Sequence, residues 1–265
     1  MKPTRRISII AGTLFILATS GTLIAEGIAP ELTGTDYLAG VAAGSGTMAT
    51  ALLLQLFAAG CSVGIAIVLY AVLRRTHPTL ALGAVVFRAI EAVFYLVGVV
   101  SLMTVLSIAT AHAPAAGGPS PWQTVSDTLR SAHDRAGVVA VSAFVVGGLL
   151  YYIALYRTRL IPRWLSGWGI AALPLMGMAC GLAVYADAPV TNYVPLAAPI
   201  GIQEIVFGIW LLAKGFDAVE PSQHGSVATS ADQCIASRPV QAATPGRGQA
   251  RSGTAASDAP IPIRE

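Results

Sequence analysis

Apolar residues fall in six long runs separated by short polar segments. The runs are Ile7–Ala29, Met48–Leu73, Leu80–Ala109, Gly137–Tyr156, Trp168–Ala186 and Pro195–Ala213. Each is about as long as a bilayer crossing, which takes roughly 20 residues as a helix. In lipid the backbone must satisfy its own hydrogen bonds, so these runs are predicted to be helices. A membrane barrel would need short alternating segments, and these runs do not alternate. The expected fold is therefore all-α, a polytopic membrane bundle of six transmembrane helices spanning residues 1–217. The first run exceeds the 7–15 apolar residues of a signal sequence, and its small-residue end, Ala29, is followed by Pro30. It is read as a retained helix.

The connections set the orientation. Lys2, Arg5, Arg6, Arg74, Arg75, Arg157, Arg159, Arg163 and Lys214 all fall on one side, nine in number. The other side holds two, Arg130 and Arg135. Basic residues concentrate on the cytoplasmic face of membrane proteins, which predicts both termini inside. Beyond the sixth run, residues 218–265 are rich in Ala, Ser, Thr, Gly, Pro and Gln without apolar period. A segment of that composition is expected to be a disordered cytoplasmic tail. In the long external connection, Trp122, Val125 and Leu129 recur at helical spacing. They predict an amphipathic helix lying on the outer membrane surface.

Composition agrees with the runs. Hydrophobic residues make up 55% of the 265-residue chain and charged residues 11%. A soluble domain carries about 25% charged residues. The net charge of +3 forms no basic stripe, so no nucleic-acid partner is expected. Cys61, Cys180 and Cys234 have neither disulfide-framework nor zinc spacing.

Several segments resemble a bacterial membrane-protein family, domain of unknown function 4386. They are Arg88-x-x-Glu91, the stretch Leu160-Ile-Pro-Arg-Trp-Leu-Ser-Gly-Trp-Gly169, and Gln203-Glu204 ahead of Trp210-Leu-Leu-Ala-Lys-Gly-Phe216. The resemblance covers residues 5–217. It implies a six-helix protein of the bacterial plasma membrane, with no established activity.

Charges inside spans are the best clue to function, because each costs at least about 2.5–3.5 kcal/mol at a helix centre. Arg88, Glu91 and Glu204 lie roughly 12, 16 and 15 Å from the cytoplasmic ends of their runs, at 1.5 Å per residue. Arg88 and Glu91 share a helix face at i,i+3 spacing, and Tyr95 continues it. A cluster of Arg88, Glu91 and Glu204 between the third and sixth spans is expected, with Gln203 and Tyr95 nearby, as a binding site. Two carboxylates against one arginine leave a spare negative charge. Either desolvation keeps one carboxyl protonated, or a cation completes the set. A small solute or proton is the ligand this suggests. The rival reading is a sensor or assembly module in which the charges only lock helices together. A lipid-modifying enzyme using the two carboxylates is the third reading and the weakest.

Other features read as structural. Glu26 near the outer end of the first run is an interfacial residue. Gly60-Cys-Ser-Val-Gly64 matches G-x-S-x-G but lacks the strand–turn–helix context of a nucleophile elbow. It and Gly177–Gly181 are read as small-residue packing motifs. Pro199 near the start of the sixth run leaves a backbone carbonyl unpaired and can kink that helix. Arg157, Arg159 and Arg163 with Trp164 and Trp168 read as an interfacial anchor. No catalytic residues, metal ligands or cofactor motifs are predicted, and the bilayer is the only partner expected with certainty of class.

Overall fold

The computed structural model describes residues 3–34, 37–112 and 121–217. The tail at 218–265 and the Pro/Gly/Ala stretch at 113–120 lie outside the described residues. Six helices are long and apolar enough to cross a membrane. They are α1 (Pro3–Ile28), α3 (Ser45–Leu73), α4 (Pro78–His112), α5 (Pro121–Thr158), α6 (Arg163–Ala186) and α7 (Val194–Ala213). A short α2 (Tyr37–Ala43) and a 3₁₀ turn, Val190–Tyr193, complete the order, and no strand occurs among the described residues. Proline marks several starts: Pro78 and Pro121 open α4 and α5, Pro162 precedes α6, and Pro195 sits in the first turn of α7. A proline is tolerated there because its missing N–H has no intrahelical acceptor. Asp187 ends α6 in the left-handed conformation, φ 48°.

Helices adjacent in sequence are adjacent in space. α1 packs on α3, α3 on α4, α4 on α5, α5 on α6, α6 on α7, and α7 returns to α1. The six spans therefore form a closed ring, with both described ends of the chain at one end of it, called here the terminal end. Arg5 fastens the closure. Its guanidinium donates to the carbonyls of Leu211 (3.2 Å), Leu212 and Ala213 (3.3 Å). These are carbonyls left unpaired at the end of α7, where a cation is also favoured by the helix dipole. Nearby, Phe216 N–H donates to Ser8 Oγ at 3.0 Å and Asp217 N–H to Leu160 O at 2.9 Å.

Three expectations are corrected. First, the segment from Trp122 is not a separate surface helix but the first part of α5, 38 residues long. Between Pro121 and Gly137 nothing breaks the helix. At about 1.5 Å per residue α5 runs roughly 57 Å, well beyond a hydrocarbon core of about 30 Å. Trp122 and Val125 are exposed, whereas Ser126 is fully buried and Leu129 packs on a second apolar cluster. That cluster joins α2 (Tyr37, Leu38, Val41) to Met48, Leu52, Val99, Leu102 and Val105 of α3 and α4. Tyr37 donates to Asp127 Oδ1 at 3.1 Å. The apolar spacing of Trp122, Val125 and Leu129 does not reveal this, because α2 and α4 cover a neighbouring face. Second, α2 itself was absent from the six runs, since seven residues make too short an apolar signal. Third, the small-residue motifs do not bring helix backbones together. A side chain at Gly60 or Gly181 would meet nothing within 4 Å, while Gly64 abuts Leu14 and Gly177 abuts Val145.

The close backbone approach lies elsewhere, at Gly12 and Gly208. A Cβ at Gly12 would fall 2.7 Å from Gly208 O, and one at Gly208 would fall 2.9 Å from Ile16 Cγ1 and 3.1 Å from Gly12 O. Small residues let membrane helices approach this closely and gain dispersion contact. Gly208→Leu is expected to destabilise the folded protein by about 1–3 kcal/mol through overpacking. Gly27→Leu, where nothing lies within 4 Å, is the control and is expected to be neutral. Thermal unfolding in detergent micelles measures both, and equal melting temperatures would show that α1 and α7 do not meet here.

Candidate functional site

Arg88 is 2% exposed, ten residues from the start of α4. A guanidinium removed from water needs acceptors for its donors and a compensating charge. Its Nη1 lies 3.1 Å from Glu91 Oε2 and donates to Ser62 Oγ at 2.8 Å. Ser62 Oγ donates in turn to Glu91 Oε1 at 3.1 Å. Nη2 donates to Tyr151 Oη at 3.0 Å and reaches Glu204 Oε1 at 3.4 Å. Phe144 lies under the guanidinium, 4.5 Å from ring centroid to Cζ, a distance at which ring and cation attract. Nε alone has no hydrogen-bond partner among the described residues.

The two carboxylates are not equivalent. Glu91 is held by Arg88 and Ser62 together, and its side chain is 5% exposed. Glu204 has the longer contact with Arg88, and its other oxygen accepts from Thr19 Oγ1 at 3.1 Å. Its side chain is 13% exposed. The site thus draws on α1 (Thr19), α3 (Ser62), α4 (Arg88, Glu91), α5 (Phe144, Tyr151) and α7 (Glu204), rather than on α4 and α7 alone.

The other two residues singled out from sequence lie differently. Gln203 is fully buried but faces α5 and α6, not the charges. Tyr152 Oη donates to its Oε1, and its Nε2 donates to Leu165 O at 3.1 Å. Both ends of the amide are engaged in joining α5, α6 and α7. Tyr95 lies one turn beyond Glu91, partly buried, and the structure gives no hydrogen bond from it to the cluster.

Sequence reasoning missed Thr19, Ser62, Tyr151 and Phe144. Hydroxyls and rings are common in membrane helices, so they carry no signal of depth or facing. Ser62 was in view, but as part of a packing motif. One usable sign was its depth on α3, eleven residues from the terminal end, much as Arg88 lies ten residues from that end of α4.

Towards the terminal end the cluster meets a dry aromatic layer. Phe15, Tyr151, Tyr152 and Phe207 are each at most 1% exposed. Their ring centroids lie 4.3 to 6.3 Å apart in successive pairs. Gly169 lets Tyr152 lie flat on α6, since a Cβ there would fall 2.8 Å from the ring. Among the described residues no group of three or more His, Cys, Asp or Glu side chains is placed to hold a metal ion.

Chemically, the site can hold a proton or a small cation on a carboxylate, beside a fixed positive charge. No curated protein and no solved structure matches the chain. A family model described as "Domain of unknown function (DUF4386)" matches residues 10–215. That range takes in α1 from Ile10 onward, the five later spans and every residue of the cluster, and the chain belongs to this family.

Proposed function

We propose that the protein binds or moves a proton, or a small solute exchanged with one, at Glu204. The supporting observation is the inequality of the two carboxylates. Arg88 neutralises one negative charge, and its shorter contact and the shared Ser62 hydroxyl assign that charge to Glu91. The surplus negative charge then belongs to Glu204, which is also the more accessible of the two. An unneutralised carboxylate inside a membrane bundle costs several kcal/mol, so Glu204 either takes a proton or takes a cationic group. We further place the protein in a bacterial plasma membrane with both termini inside, on the distribution of basic residues and the family resemblance.

A second reading is a sensor or assembly module in which the cluster is only a lock between helices. It is favoured by the saturation of Arg88, whose two terminal nitrogens both have protein partners. The two readings predict different variants. Under the lock reading every charge matters for folding and none for anything else.

Glu204→Gln is expected to leave the thermal stability of the purified protein within about 1 kcal/mol, since an amide keeps the Thr19 bond and removes only surplus charge. With the protein reconstituted in lipid, infrared difference spectra across a pH titration should show a protonated-carboxyl band in the parent chain. That band should vanish in Glu204→Gln, and in Glu91→Gln, where Glu204 is left as the counter-charge of Arg88, it should move to lower pH. A band unaffected by Glu204→Gln, or no band at all, would refute the proposal.

Arg88→Ala is expected to cost about 3–5 kcal/mol, the penalty for leaving a buried partner unpaired. Arg88→Ala combined with Glu91→Gln should recover part of that loss, and melting temperatures in detergent would read the difference.

A further inference from the structure

Three helices of the cluster repeat a position two turns further on. Seven residues separate Thr19 from Glu26 on α1, Gln55 from Ser62 on α3, and Glu91 from Gly98 on α4. Seven residues span about 10.5 Å and return to nearly the same helix face. In each case the position outside the cluster, Glu26, Gln55 or Gly98, is the one farther from the terminal end. The interior face that carries the cluster therefore carries a second set of residues, one level out.

Two of that set's three residues are polar, and the third, Gly98, makes room for His133. Gln55 Nε2 donates to Glu26 Oε1 at 3.2 Å. The titratable groups within electrostatic reach of Glu26 are His133 and Asp134, both from α5. Asp134 also faces Arg130 of its own helix and Asp187 beyond α6. The His133 ring lies against the backbone of α4, because a Cβ on Gly98 would fall 2.9 Å from its Nδ1. That Nδ1 is buried and has no hydrogen-bond partner among the described residues. Glu26 itself is exposed. Between the two levels stands Tyr95, half-buried on α4, one helical turn beyond Glu91 and three residues before Gly98.

The two sides of the cluster thus differ in kind. Towards the terminal end lies the sealed layer of Phe15, Tyr151, Tyr152 and Phe207. Away from it lie the carboxyls of Glu26 and Asp134, the Gln55 amide and the His133 imidazole, all exposed or half-buried. A charge or a water wire passes a polar lining far more readily than a packed aromatic layer.

We propose that Glu26, Gln55, His133 and Asp134 form a second proton-binding station, through which Glu204 exchanges protons, past Tyr95, with water at the end of the bundle remote from the termini. This rests on Glu204 being a proton acceptor. The step balances simply. One proton leaves a water-borne hydronium ion for the station and passes to a Glu204 carboxylate oxygen. The net charge of Arg88, Glu91 and Glu204 then goes from −1 to zero, and no other bond changes.

Two measurements test it. In a chain with Cys61, Cys180 and Cys234 replaced by Ala, Tyr95→Cys and Phe15→Cys are compared in sealed cells with an impermeant cationic thiol reagent. Tyr95→Cys should be modified from outside, and Phe15→Cys should react only after unfolding in denaturant. Equal protection of both sites, or modification of Phe15→Cys first, overturns the lane. In reconstituted protein, the rise of the Glu204 carboxyl band after a drop in pH should slow about 10²-fold in the Glu26→Gln, His133→Ala double variant, as expected on losing a positioned proton donor. An unchanged rate overturns the station. Absence of the band in the parent chain would instead defeat the assignment of Glu204, so the two failures are distinguishable.

Discussion

A guanidinium with 2% of its surface exposed, ten residues into a membrane-spanning helix, makes strong demands on its surroundings. Desolvating Arg88 costs several kcal/mol, and the cost is offset only if acceptors and a negative charge are held in place around it. Much of the bundle's interior follows from that demand. Glu91 must share its face of α4, Ser62 must bridge the pair from α3, and Tyr151 must turn its hydroxyl inward from α5. Phe144 covers the remaining side with a ring that tolerates a cation. Such a network favours one arrangement of helices over others that would bury as much apolar surface.

The same demand explains why ring closure matters. Lipid tails are as apolar as leucine, so helices in a membrane gain little by hiding apolar side chains from one another. Specificity must come from close packing and from polar contacts. The α1–α7 seam supplies both. Gly12 and Gly208 allow near contact of backbones, and Thr19 and Glu204 bond across the same seam. Arg5 finishes the seam at the terminal end by capping α7. Gln203, one residue before Glu204, turns the opposite way and ties α7 to α5 and α6. Adjacent positions on one helix thus serve two different interfaces.

The six spans were legible from sequence because length and apolarity are decided by the lipid, not by the partner helices. Their starts moved by two to five residues in most cases, as for Met48 against Ser45, since helices continue past the apolar run into water. The start of α5 moved much more, from Gly137 to Pro121, because its outer part buries one face on protein and carries no lipid-facing signature. Arg88, Glu91 and Glu204 could be selected because charge in a span is rare. Thr19 and Ser62 could not, because a Ser or Thr hydroxyl is inexpensive in a helix whose own backbone can satisfy it, and Tyr151 could not, because a ring carries no sign of which way its hydroxyl faces. Gln203 shows the limit of depth as a criterion. It lies beside Glu204 in sequence and level, yet a turn of about 100° per residue sends it to another seam.

The ring's closure by its first and last helices also bears on how the protein is made. Helices enter the membrane in chain order during synthesis. Arg88, Glu91, Ser62 and Tyr151 are all in place once α5 has been inserted. Glu204 and the partner surfaces for Gly12, Thr19 and Arg5 arrive only with α7. Until then α1 waits at an open edge, with its glycine and hydroxyl facing lipid. Completion of the bundle and completion of the charge cluster are therefore the same event, and a chain stopped before α7 would carry a neutral Arg88–Glu91 pair without the surplus carboxylate.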